Sequence, residues 1–162
     1  MFGVFATALP ADEFHLWITG SDGVEWSSLS SETGELKKLK QVSEHSLTWI
    51  AAHNDRFLYG GSVLSSAQDE TDGALSAFRI SRDRSLTFLN QVSSSGKTTI
   101  YLSPNPTGHA LFAVNFRQDT YTSRGSVVAF ALGEDGRIGA RRQRYEHLGK
   151  AGGKSITENQ NP

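Results

Sequence analysis

An all-β fold, a β-propeller of four-stranded blades held only in part, is predicted by three observations. First, residues 73–116 (GALSAFRISRDRSLTFLNQVSSSGKTTIYLSPNPTGHALFAVNF) read as four short strands joined by turns. Second, an imperfect copy lies about 50 residues upstream and the start of another about 52 residues downstream, a spacing typical of four-stranded propeller blades. Third, no segment carries a convincing helical period. The run 37–40 could be fitted to one, but its repeat partner LTFLNQV is rich in Thr, Phe and Val and argues for strand.

Along the chain, residues 14–19 (FHLWIT) form the first strand candidate, ended by Gly20-Ser21-Asp22-Gly23. Residues 24–29 (VEWSSL) are a weaker second, and 36–42 (LKKLKQV) follow the turn at Thr33-Gly34. Residues 47–52 (LTWIAA) and 57–63 (FLYGGSV) flank the turn-type cluster His53-Asn54-Asp55. An acidic loop at 68–72 leads into strands at 74–80 and 86–92, with Asp83-Arg84 between them. Strands at 98–103 and 110–116 enclose a turn at 104–108. SVVAFAL at 126–132 is strongly apolar, Asp135-Gly136 is a hairpin signal, and 138–147 is a very basic last strand. From 148 onward periodicity is lost, and a loop is expected.

The repeat can be followed residue by residue. Gly23, Leu36, Leu39, Gln41, Val42 and Ser43 align with Gly73, Leu86, Leu89, Gln91, Val92 and Ser93. Gly73, Phe78, Ile80, Leu86 and Gln91 align in turn with Gly125, Phe130, Leu132, Ile138 and Gln143. Each copy places its turn between the same two strands. Ser28 stands where Phe78 and Phe130 stand, so the first copy offers less apolar bulk there.

Composition excludes several classes. The chain has 162 residues, enough for one domain, and a 37% apolar content that permits a core. With 16 basic and 17 acidic residues, the formal net charge of −1 gives no general attraction to nucleic acid or an anionic membrane. There is no cysteine, hence no disulfide framework and no thiolate metal site, which suits a cytoplasmic location. No apolar run approaches the ~20 residues that cross a bilayer. The opening MFGVFATAL lacks a charged leader and meets Pro10, Asp12 and Glu13, so it reads as a start segment or strand remnant.

Chemistry-bearing residues are sparse. No Gly-x-Ser-x-Gly nucleophile elbow exists, and the serines fall in turns and on strand faces. The histidines at 15, 45, 53, 109 and 147 are scattered, and His53 and His109 read as solvated loop residues. Asp69, Glu70 and Asp72 lack the spacing of a calcium loop, so no metal and no cofactor is expected. GKAGGKS at 149–155 misses the phosphate-loop spacing, because Leu148 stands where a glycine is needed. Arg141, Arg142 and Arg144, with Lys150 and Lys154, form a basic patch that could hold a phosphorylated sugar. Such a strand is also a guard against edge pairing. Trp17, Trp26 and Trp49 could stack on a sugar, but packing between blades is the expected use.

GALSAFRISRDRSLTFLNQV, TTIYLSPNPTGHALFAVNF and GSVVAFALGEDGRI together resemble the lactonase-type seven-bladed propellers. That family includes bacterial 6-phosphogluconolactonase and the fungal 3-carboxy-cis,cis-muconate cyclases. Its inner-strand pattern is matched by Asn105 to Phe116, and an upstream copy runs from His53 to Ser62. The resemblance implies an N-terminal segment (1–13), a partial propeller (14–147) and a flexible tail (148–162). Within the propeller it implies an incomplete blade (14–42) and two blades (47–92 and 98–147), about two and three-quarter blades of seven. A full ring needs roughly 350 residues, so a fragment, a truncated product or closure by self-association through exposed blade edges is expected. The tail 154–162 resembles the approach to a histidine-bearing inner strand, which the chain does not reach.

By the same resemblance, the ligand would be a small-molecule lactone or sugar acid. The activity would be hydrolysis of a sugar lactone in carbohydrate metabolism, with catalytic residues mostly outside this chain. The alternatives are a non-catalytic propeller segment that binds a ligand or protein, or a piece of a muconate cycloisomerase-like enzyme. Asn115 and Arg117, at the end of the inner strand ALFAVNF, and Tyr101, where some relatives have histidine, are the substrate-binding candidates. Phe116 departs from the commoner tyrosine, removing a hydroxyl.

Overall fold

A computed structural model of the chain describes residues 13–63, 72–117 and 125–147. The N-terminal segment up to residue 12, Asp69 and Glu70, and the tail with Lys150, Lys154 and the GKAGGKS run lie outside the described residues. Within them stand ten strands: β1 (Glu13–Gly20), β2 (Gly23–Ser30), β3 (Leu36–Ser43), β4 (Trp49–His53), β5 (Phe57–Val63), β6 (Asp72–Ile80), β7 (Leu86–Pro104), β8 (Ala110–Arg117), β9 (Ser126–Leu132) and β10 (Ile138–Glu146). Every pairing is antiparallel.

β1, β2 and β3 form one sheet, and the other seven strands form a ladder in the order β10-β9-β8-β7-β6-β5-β4. That ladder is two four-stranded blades that share β7. The first part of β7 pairs with β6, from Leu86 opposite Ile80 to Ser93 opposite Ala74. Its second part pairs with β8, from Thr99 opposite Asn115 to Pro104 opposite Leu111. The two strands expected at 86–92 and 98–103 are therefore one. The corner SSSGK bends without releasing the ladder because Ser95 and Thr98 adopt positive φ (58° and 56°). Lys97 still pairs with both Asp72 and Arg117.

Two cores lie between three layers. Val24, Val42 and Leu47 meet Leu58, Phe78 and Ile80, with Trp17 and Trp26 packed against them. On the other face of the middle blade, Phe57, Tyr59, Leu75 and Ala77 meet Leu102, Leu111, Ala113, Val128 and Phe130. Strand β5 thus sends Leu58 one way and its neighbours the other. A strand covered on both faces has no polar side to show, which explains the continuous apolar reading of FLYGG.

The outer hairpins repeat down to single hydrogen bonds. Arg84 N donates to Ser81 O and Gly136 N to Gly133 O, each at 2.9 Å. Asp83 Oδ1 accepts from Ser85 N (3.2 Å), and Asp135 Oδ1 from Arg137 N (3.1 Å). Both turns close with a left-handed residue, Arg84 (φ 66°) and Gly136 (φ 87°), the pattern of a type I turn with a G1 bulge. Gly136 is also held to glycine because a Cβ there would enter the Phe57 ring of the preceding blade.

Candidate functional site

Strand β4 and the second part of β7 each pair on one side only, so they form the inner edges of their blades. In a propeller such edges run along the central channel. Thr48 bridges them: its hydroxyl lies 3.0 Å from Gly61 O and 3.1 Å from Thr99 O. Directly beside this bridge, the rings of Trp49 and Tyr101 meet at 5.3 Å with a 50° tilt. They are 41% and 46% exposed, and Ile100 next to them is also exposed. Trp17 and Trp26 pack between blades as expected, but Trp49 does not. It stands on an edge strand, where its ring meets Tyr101 of the next blade and stays largely exposed.

Tyr101 is thus on the exposed inner edge. Asn115 is inside the wall. Along β8 it continues the buried stripe of Leu111 and Ala113, while Phe112 and Phe116 face out. Its Oδ1 accepts from Thr99 Oγ1 (3.0 Å), and its Nδ2 donates to Ser94 O (3.0 Å) and reaches Ser126 Oγ (3.4 Å). These bonds hold the corner of β7 against β8. Gly96 sits so close that a Cβ would lie 2.6 Å from Asn115 Nδ2. Arg117 ends β8, its backbone opposite Lys97.

A second concavity, about 360 Å³, opens at the turn ends of the two complete blades. His53, Arg56 and Tyr59 line it from one blade, and Thr107, His109 and Glu134 from the next. It brings together His53 and His109, which the sequence presents as unrelated loop residues. Tyr59 is 1% exposed, and its ring packs in the core between the two blades. Its hydroxyl pKa is pushed up to about 12, first by burial and then by the negative charge of Asp135. The available sequence signal was a hydroxyl at Tyr59 where its repeat partner is Phe112. Among the described residues no three His, Asp or Glu side chains gather closely enough to hold a metal ion. No helix there is long and apolar enough to cross a membrane.

Comparison with known proteins places this architecture. The family model described as "Lactonase, 7-bladed beta-propeller" matches residues 12–162. A crystal structure from Bacteroides fragilis, provisionally assigned as a 6-phosphogluconolactonase, superposes with a TM-score of 0.69 at 23% identity. That match covers 88% of this chain and 38% of the other. The periplasmic gluconolactonase of Pseudomonas aeruginosa gives a TM-score of 0.70 at 20% identity, over 83% of this chain and 39% of its own. A similarly assigned structure from Bacteroides uniformis gives 0.66 at 22% identity, over 83% and 38%. The chain therefore spans well under half the length of these structures. A search of curated proteins finds no match.

Proposed function

Because the chain belongs to the family of seven-bladed β-propeller lactonases, we propose that it supplies part of the channel wall of a protein that hydrolyses a sugar lactone in carbohydrate metabolism. The exposed Trp49–Tyr101 pair on adjacent inner edges carries this reading. A sugar ring presents an apolar C–H face, and an aromatic surface beside polar backbone groups suits it. Tyr101 is the contact residue, joined by Trp49. Asn115 acts through the β7 corner as a positioning residue. Arg117 is the candidate cation for the anionic end of the substrate.

Opening the ring ester needs a base to activate water and donors for the developing oxyanion. The inner-edge residues offer neither in convincing form. Residues 98–104 hold no carboxylate or imidazole, and β4 holds one imidazole, His53, at its far end. The acid–base groups in this reading come from other parts of a full ring, and the present chain alone is inactive. Assayed against 6-phosphogluconolactone, it should bind without accelerating ring opening over the spontaneous rate. Turnover above that background would overturn the division of labour.

A further inference from the structure

We propose that the cleft between the two complete blades, at the turn ends opposite the Trp49–Tyr101 edge, is a binding site for a small hydroxylated organic anion. The two places are distinct: β4 separates Trp49 from His53 by four residue steps, about 13 Å of extended chain.

Three observations define the ligand. The first is Tyr59. Its ring is packed in the core between the two blades while the residue lines the cleft, so its hydroxyl is a polar group the wall can offer a ligand there. With its proton held firmly, the group is a donor at any physiological pH. The second is charge. The Arg56 guanidinium lies over the Phe57 ring, 5.1 Å from its centre, and no described carboxylate pairs with it. His109 adds an imidazole that can donate, while His53 Nε2 lies 3.0 Å from the Asn54 amide nitrogen. Glu134 is the lone carboxylate of the lining. Nearby Asp135 is already held by the Arg137 backbone N–H (3.1 Å) and by Arg137 Nε (3.3 Å). Arg56, Tyr59 and His109 thus bring donors that suit an oxyanion, while Glu134 and Thr107 can receive hydroxyls. The third is size. The volume lies near the small end of the range for ligand pockets, about 300–1,000 Å³, which fits a compact metabolite.

The site is built by the repeat itself. The turns at 105–108 and 133–136 of one blade approach the turn at 53–56 of the blade before it, with Gly108 against the His53 ring and Gly136 against Phe57. Arg79 ties the two together by donating to Asp135 O (3.1 Å). The cleft is therefore a fixed gap between packed blades.

The test is ¹H–¹⁵N NMR titration of the full chain with glycerate and with glycerol 3-phosphate, using glycerol as the neutral control. Saturable shifts are expected at Arg56, Gly108 and Gly133 with one or both anions and not with glycerol. Which anion binds more tightly separates a carboxylate from a phosphate ligand. Tyr59→Phe, which keeps the ring and the packing, should weaken binding roughly tenfold, and Arg56→Gln by at least as much. The proposal is overturned if neither anion gives saturable shifts at these residues. It is equally overturned if glycerol binds as well as the anions, or if both variants bind as the parent does.

Discussion

Asn115 shows how one side chain can matter without touching a ligand. Three polar groups, Ser94 and Thr99 on either side of the β7 corner and Ser126 on β9, converge on one buried amide. Its loss would leave the Thr99 hydroxyl and the Ser94 carbonyl buried without partners. Asn115→Ala is expected to cost about 2–3 kcal/mol, read as a lower urea midpoint with an unchanged slope. A loss under about 0.5 kcal/mol would remove Asn115 from the account of the β7 corner. Its burial was legible in the sequence as alternation, since in ALFAVNF it shares phase with Leu111 and Ala113. Its partners were not, because they lie across a corner that reads locally as loop.

Tyr59 gives a pH signature. In the fold its hydroxyl keeps its proton to about pH 12, whereas an unfolded tyrosine releases it near 10. The folded pKa is raised, so this contribution is complete below about pH 10 and is lost as pH rises toward about 12. In that interval the unfolded chain binds fewer protons, and stability must fall. The melting temperature of Tyr59→Phe should therefore decline less between pH 10 and 12 than that of the parent. Parallel declines would contradict the burial of this hydroxyl.

At the scale of elements, the blades are joined by equivalent outer-strand residues of unequal strength. Lys40 on β3 reaches Asp83 (2.7 Å) in the next hairpin and holds that carboxyl well below the usual carboxylate range, but the pair is exposed. Asn90, its repeat partner on β7, makes two part-buried bonds to Ile138, donating to its O (2.8 Å) and accepting from its N (3.1 Å). Exposed ion pairs are screened by water and salt and contribute little, whereas orphaning a half-buried backbone pair costs about 1–3 kcal/mol. Asn90→Ala should thus destabilise more than Lys40→Ala in chemical denaturation, and the Lys40 effect alone should shrink in high salt. The reverse order would mean that the clasp at Ile138 is not formed in solution. The strands themselves were largely legible, because alternation and turn residues mark them. The continuity of β7 was not, since it depends on Ser95 and Thr98 taking left-handed φ, which neither residue type announces.

For the whole molecule, the repeat supplies its own control on exposure. Phe112 occupies in the last blade the place that Tyr59 occupies in the middle one, yet it is 41% exposed against 1%. Phe112 and Phe116 leave the outer face of β8 apolar, and Phe14, Leu36 and Leu39 leave exposed apolar side chains on the three-stranded sheet. Apolar surface of this kind favours association. The apparent mass of the chain should rise with concentration in sedimentation, and Phe112→Ser should reduce that rise. A monomer of constant mass at every concentration would contradict this expectation. The propeller architecture was legible from repeat spacing. The edge position of Trp49 was not, because an aromatic residue in a strand reads equally well as core or as channel wall until its neighbours are placed.

The central claim is that Trp49 and Tyr101 form a sugar-binding wall. The most direct measurement is an NMR titration of the chain with a stable sugar lactone analogue, following the Trp49 indole N–H and the Tyr101 ring protons. The account predicts saturable shifts at both, centred on Thr48, Trp49, Thr99 and Tyr101 and lost in Trp49→Ala and Tyr101→Ala variants that remain folded. Unmoved Trp49 and Tyr101 signals, or binding that survives both substitutions, would contradict it.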